Sequence, residues 1–299
     1  MQFDHGAVSA PDFISDQFDK LGYVVDEELS TILFLMLKLG KPLLLEGPPG
    51  VGKTEVATSL AKFLNTELLR LQCYEGLDVH SAVYEWNYQK QLLSIKIQEN
   101  MHRSESEKEA HIFGEEFLLK RPLLKAITSP QAPVLLIDEI DRADEEFEAF
   151  LLELLSAFQI SIPEMGTVKA LHKPLVILTS NRTRELSDAL KRRCLYHWVN
   201  YPDMEKEIRI VHKHLPDMQE QLIRELVRVV HTLREQKLDK SPGIAETIDW
   251  ASALLALGYR ELTEESIAKS LGCVLKSTDD INSIKLQGIA SLLAATKIN

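Results

Sequence analysis

The sequence is short of positive charge: its 299 residues carry 34 Lys and Arg against 45 Asp and Glu, for a formal net charge of -11. A basic stripe that could track a phosphodiester backbone is therefore missing, and nucleic acid is not the expected main partner. Cysteine is scarce as well. Cys73, Cys194 and Cys273 are odd in number and too far apart for metal-ligand pair spacing, which excludes a disulfide framework and points to a reducing compartment with inert core thiols. No secretory leader is evident, and no apolar run reaches the ~18 residues of a membrane span. The longest candidate, TILFLMLKLGKPLLLE, is interrupted by Lys38 and Lys41. Together these absences set the expectation of a soluble, cytoplasmic protein. Its length and 45% hydrophobic content suit one medium domain plus a smaller one.

Glycine is present where chemistry needs it. Residues 46–55 read EGPPGVGKTE, directly after the apolar run LLL at 43–45. Gly47, Gly50 and Gly52 remove side chains from a tight turn, so that backbone N–H groups converge on one concave space and cradle an anion. A helix starting near Lys53 aims its positive end at that space, and the Lys53 ammonium and Thr54 hydroxyl extend toward phosphate and magnesium. The pattern is G-x-x-x-x-G-K-[ST], the phosphate-binding loop. ATP and Mg2+ are the expected ligands, held by Gly47, Pro48, Pro49, Gly50, Val51, Gly52, Lys53, Thr54 and Glu55. Context supports the motif: a buried strand precedes it, and an amphipathic helix follows with Val56, Ala57, Leu60, Ala61 and Leu64 on one face.

The rest of the chain alternates strands with helices. Residues 1–20 are polar and without sustained period, so a partly ordered arm is expected. A helix is predicted over 26–40 and strands over 67–75, 132–141 and 173–181, the last two as near-continuous apolar runs typical of parallel strands covered on both faces. Phe147, Phe150, Leu151, Leu154, Leu155 and Phe158 mark the clearest amphipathic helix, at 145–158. Residues 159–171 alternate around Met165-Gly166 as a short hairpin does, 76–100 are less regular, and 99–121 read as a solvated connection entering a helix. The class is α/β, with an open, mostly parallel sheet and ligands at the carboxyl ends of its strands. Beyond Pro202 the composition turns helical, which places the boundary between an α/β domain at 1–202 and a helical one at 203–299.

Hydrolysis needs a metal ion and a held water as well as a bound nucleotide. LLIDE at 135–139 supplies both: Asp138 for magnesium, together with Thr54, and Glu139 to orient and polarise the water. Asn181, ending LTSN, could bond both the terminal phosphate and the water. In DALKRRCLYHW, Arg192 and Arg193 are candidates for a cation aimed at the charge that develops in phosphoryl transfer, against the plainer reading of a basic helix end facing the carbonyl dipole.

GPPGVGKT, LLIDEIDRA, TSN and KRRC, in this order and followed by helical sequence, resemble the AAA+ ATPases. More narrowly they resemble the MoxR group, whose members typically carry a DEINRA-like second motif where this chain has DEIDRA. RLQCYEGLD, YEWNYQKQLL, EEFEAFLLELLS and LTSNRTRELSDALKRRCLYHW look most similar to the CoxD-type branch that accompanies carbon monoxide dehydrogenase and related molybdenum hydroxylases. The likeness runs from about residue 20 to 258. It implies a P-loop NTPase with a three-layer αβα core and a smaller all-helical lid. It also implies a Mg-dependent ATPase assembled as a ring, usually hexameric, with Arg192 or Arg193 acting in trans on the neighbour's nucleotide. The implied partners are a von Willebrand factor A domain protein and a client metalloenzyme of the molybdenum hydroxylase type, remodelled during cofactor maturation. An activase of another enzyme, such as ribulose bisphosphate carboxylase, and a nucleic-acid motor are the alternatives, the acidic balance counting against the second. Segments 76–100 and 159–171 correspond to family insertions that face the ring's pore, unless their aromatics are ordinary packing. One departure stands out: where AAA+ lids often carry a phosphate-contacting arginine, SPGIAETIDW at 241–250 has none, so either Arg260 or another residue substitutes, or closure of the lid senses nucleotide differently.

Overall fold

The computed structural model describes residues 10–98, 111–163 and 166–297. They form two compact units: one from the described parts of Met1–Ile14, Glu28–Glu46 and Ala57–His197, the other from Ser15–Glu27, Gly47–Val56 and Trp198–Asn299. The strands, in chain order, are β1 Leu43–Glu46, β2 Leu68–Gln72, β3 Tyr84–Trp86, β4 Leu118–Lys120, β5 Val134–Asp138, β6 Gln159–Ile162, β7 Gly166–Lys169, β8 Leu175–Ser180 and β9 Leu195–Trp198.

The first unit is built on a five-stranded sheet of order β2-β5-β8-β1-β9. The pairs β2–β5, β5–β8 and β1–β8 are all parallel. Every residue of β1, β5 and β8 is buried, as the continuous apolar runs require of strands covered on both faces. Glu46 stands beside Ser180 and Gln72 beside Asp138, so the polar carboxyl ends of these strands line one edge of the sheet. The helix Glu145–Ala157 buries Phe147, Leu151, Leu154 and Leu155; Asp144 caps its start by accepting from the Phe147 N–H at 2.8 Å.

Three readings of the sequence change. Residues 11–20 are a helix rather than a loose arm: Ile14 and Phe18, four apart, are fully buried, and two anchors suffice where the rest of the helix faces solvent. Residues 1–9 of the expected arm lie outside the described residues. Residues 195–198, to which no element was assigned above, form edge strand β9, which alternates too weakly in burial to announce itself. In the irregular stretch, β3 pairs antiparallel with β4, and the helix Tyr88–Gln98 follows. Tyr84 and Trp86 are core residues, whereas Tyr88 is 65% exposed. The expected connection over 99–121 is thus strand at 118–120, and residues 99–110 lie outside the described residues. The hairpin at 159–171 is formed by β6 and β7, Ile162 facing Gly166; Met165, at its expected turn, is outside the described residues.

In the second unit every element described after Pro202 is helical. The helices Met204–His214, Glu220–Arg234, Ile244–Ala256 and Glu264–Val274 pack around Trp250, Leu226, Val230 and Ile267, all fully buried. Amphipathic spacing in Glu220–Arg234 buries Leu222, Ile223, Leu226, Val227, Val229, Val230 and Leu233.

Candidate nucleotide site

The phosphate loop leaves β1 at Gly47 and ends where Lys53 begins the helix Lys53–Leu64. Its glycines are required one by one. A Cβ at Gly47 would lie 2.1 Å from the Val199 carbonyl oxygen, and Gly50 and Gly52 take φ of +75° and +88°, the left-handed region that L side chains avoid. Lys53, 6% exposed, donates from Nζ to the carbonyl oxygens of Gly47 (2.8 Å) and Pro48 (2.7 Å), which brings its ammonium to the loop itself. Val51 is buried and Thr54 half-buried, while Pro49 and Glu55 are exposed.

Two neighbours of the loop escaped sequence reasoning. The Tyr23 ring lies against it, with Cε2 3.7 Å from where a Gly52 Cβ would stand. Burial pushes the Tyr23 hydroxyl well above its ordinary range, with Asp26 and Glu55 adding to the effect, so it stays protonated. Asp26 and Asp19 tie this segment to Lys206 and Lys213, each at 2.7 Å. The other neighbour is the start of the helix Ile244–Ala256, where the Ile244 N–H donates to the Gly50 carbonyl at 2.9 Å. Only residues far apart in sequence make these contacts, so no local pattern announces them.

In the first unit the strand-end acids divide the work. Asp138, 3% exposed, accepts from Thr179 Oγ1 at 2.5 Å on one oxygen and from Arg70 Nη2 at 2.5 Å on the other. Glu139 sits at φ 55°, ψ 50°, an uncommon conformation for a side chain with a Cβ, and its N–H donates to Thr179 Oγ1 at 2.9 Å. Asn181 Nδ2 lies 3.4 Å from Glu139 Oε1, and Arg142 Nε lies 2.8 Å from Glu139 Oε2. Asp141 has a different role: it accepts from the Asn181 N–H (3.2 Å), the Thr183 N–H (2.8 Å) and the Thr183 hydroxyl (2.7 Å), fixing the turn that carries Asn181. The donors suit a magnesium–nucleotide: Mg2+ takes one or two protein oxygens and keeps phosphate and water for the rest, and Asp138 is an ionisable carboxylate whose Arg70 partner is 53% exposed and able to withdraw. Thr179 and Arg70 are the functional neighbours the sequence did not single out; a threonine two residues before Asn181 in LTSN was the available signal.

A family model described as "AAA domain (dynein-related subfamily)" matches residues 42–194. The chain belongs to this AAA domain family. The matched span of the AAA domain contains the loop, Asp138, Glu139, Asn181 and both arginines. An uncharacterized protein of Staphylococcus epidermidis is 26% identical over 262 residues, covering 84% of this chain and 92% of that protein. A Lon protease of Cytophaga hutchinsonii is 28% identical over 199 residues, 63% of this chain and 21% of that protein. A solved structure of a Thermotoga maritima RuvB mutant shares the fold at a TM-score of 0.51, with 18% identity, covering 96% of this chain and 86% of its own.

The two arginines of the AAA domain differ. Arg193 donates to Ser156 Oγ at 2.7 Å and to the Ala189 carbonyl at 3.0 Å, whereas Arg192 is exposed and its side chain makes no hydrogen bond or ion pair among the described residues. Arg260 is exposed and lies beyond the C-terminal end of Ile244–Ala256, the opposite end from the one that meets Gly50. That helix of 13 residues is about 20 Å long, so its Arg260 end is remote from Gly50. At the loop end stands a carboxylate instead, Glu246, whose Oε2 accepts from the Gly243 N–H at 2.9 Å.

Proposed function

We propose that the protein is a magnesium-dependent ATPase that converts ATP hydrolysis into remodelling of a partner protein. What supports this is found in each unit by itself: a glycine loop closed by Lys53 in one, and Glu139 beside Asn181 in the other. Gly47, Gly50, Gly52 and Lys53 would bind the phosphates, and Thr54 and Asp138, as the motifs imply, would hold the metal, which would supply charge neutralisation at the terminal phosphate. Glu139 takes the proton of the attacking water, and Asn181 orients that carboxylate and the phosphate. Arg192, with its guanidinium uncommitted among the described residues, is the better candidate of the two for a cation supplied to a neighbouring subunit in a hexameric ring.

The finer reading is that the client is a metalloenzyme of the molybdenum hydroxylase type, remodelled during cofactor insertion together with a von Willebrand factor A domain protein. Its support is the likeness of LTSNRTRELSDALKRRCLYHW and its companion phrases to the CoxD-type branch. Glu139→Gln should retain ATP binding and slow turnover by about 10²–10⁴-fold, the usual contribution of a positioned general base. Purifying this variant with ATP from the native source tests the client. Recovery of a molybdenum hydroxylase supports the finer reading, and recovery of a different enzyme or of nucleic acid overturns it.

A further inference from the structure

The helical part of the second unit contains an ion cluster that hydrolysis does not use. Glu207 is completely buried. Arg234 grips it with both terminal nitrogens (2.6 and 2.8 Å), and His231 Nε2 lies 2.9 Å from the same carboxylate. Thr247 Oγ1 completes the set, 2.7 Å from Glu207 Oε1. The Arg234 guanidinium stacks over the Tyr201 ring at 4.6 Å. A buried ion pair is commonly no more stabilising than the apolar side chains that could replace it, so what this one holds in place matters more than its own strength.

What it holds is a turn. Arg234 Nε donates to the Pro242 carbonyl at 2.8 Å, and Thr247 Oγ1 lies 3.0 Å from the Gly243 carbonyl oxygen. The next residue, Ile244, donates its N–H to Gly50 in the phosphate loop. Gly243 and Gly50 meet backbone to backbone: a Cβ on Gly243 would stand 2.8 Å from Gly50 Cα and 2.9 Å from Gly50 O. The connection therefore runs Glu207, Arg234, Pro242–Ile244, Gly50 without a gap.

We propose that Glu207, Arg234 and Thr247 are positioning residues for nucleotide: through the Pro242–Ile244 turn they fix the crest of the phosphate loop and so set its affinity for ATP. The proposal rests on the ATPase reading above. Loop amides recognise phosphate only while their directions are preorganised, and an unbraced loop spends binding free energy on being ordered.

Ile244→Pro breaks the contact. Proline suits the first helical residue, but it removes the N–H and sets its ring Cδ where that hydrogen pointed, against the Gly50 carbonyl, so the loop must move off the turn; Gly243, at φ -85° and ψ -175°, is already extended, as a residue before proline should be. The dissociation constant of a fluorescent ATP analogue with Mg2+ is measured for wild type, Ile244→Pro, Arg234→Lys and the double variant, alongside turnover at saturating ATP and the melting temperature without nucleotide. Each single variant is expected to weaken binding about three- to tenfold, the worth of one hydrogen bond, with turnover changed less than about twofold. The double variant should bind no more weakly than the weaker single one, because both act through one contact. An Ile244→Pro protein that folds and binds like wild type overturns the proposal, and so do strictly additive losses in the double variant. Wild type that bound no nucleotide would overturn the ATPase reading instead.

Discussion

Glu139 is held where few non-glycine residues go. Its left-handed backbone costs on the order of 1 kcal/mol or more, and the Thr179 hydroxyl that accepts from its N–H also donates to Asp138. One threonine thus sets both acids. Thr179→Val, which keeps the shape and removes the hydroxyl, should lower turnover about tenfold or more, as loss of a charge-assisted hydrogen bond worth ~1.5–3 kcal/mol implies; steady-state ATP hydrolysis checks it, and unchanged turnover would remove Thr179 from the site. Cys73 is the core thiol expected from sequence, whereas Cys194 and Cys273 are half-buried against the cores. Burial and then the nearby acids, Asp138 first, push the Cys73 thiol up to about 12, and burial does the same for Cys194 against the opposing charge of Arg193. Both remain neutral thiols at neutral pH and should resist iodoacetamide in the folded protein at about pH 8 while reacting after denaturation, as mass spectrometry of the labelled peptides would report. The places of Lys53, Asp138, Glu139 and Asn181 in the fold could be read from sequence because each stands at or next to the end of an element with a fixed pattern. Thr179, Arg70 and Tyr23 could not be singled out, because their importance comes from what stands next to them across the sheet or along the loop.

At the scale of elements, legibility followed burial. β1, β5 and β8 are buried throughout and apolar up to their carboxyl ends, the helix Glu145–Ala157 is regular, and the apolar runs and the helical period placed all of them close to their observed bounds. β9 and the helix Pro11–Lys20 were missed because half-exposed residues and two lone anchors leave too weak a period. End signals are worth measurable free energy. Asp144→Ala removes the cap of Glu145–Ala157 and should cost about 1 kcal/mol in a urea unfolding series, whereas an unchanged midpoint would show that the cap is not maintained in solution. The stretch carrying β3 and the helix Tyr88–Gln98 resisted prediction for a different reason. Its aromatics sit at period two, yet only Tyr84 and Trp86 lie in a strand and Tyr88 begins a helix, so one periodicity spans two kinds of structure.

At the scale of the whole molecule, helical content after Pro202 was plain from composition, but the ion cluster inside it was not, since Glu207, Arg234 and Thr247 belong to three different helices. Burial raises the tendency of Glu207 to hold a proton, and its hydrogen bonds from His231, Arg234 and Thr247 overcome that, leaving its carboxyl below the usual range. A depressed carboxyl pKa contributes stability that is present above the unfolded value near pH 4.3 and is lost as pH falls through the folded value. Wild type should therefore lose stability on acidification below about pH 4.3 more steeply than Glu207→Gln, which at neutral pH should itself be less stable by roughly 3–5 kcal/mol; thermal unfolding across that range decides it, and parallel curves would contradict the assignment. Among the described residues no helix is long and apolar enough to cross a membrane.

The central claim is that a nucleotide is bound by the glycine loop and hydrolysed with Glu139 as base. Its most direct test is Mg-dependent ATP turnover and ATP-analogue binding measured side by side for wild type, Lys53→Ala and Glu139→Gln. Wild type is expected to bind and hydrolyse, Lys53→Ala to lose binding, and Glu139→Gln to bind normally while turning over about 10²–10⁴-fold more slowly. Binding by Lys53→Ala equal to wild type, or full turnover by Glu139→Gln, would contradict the account.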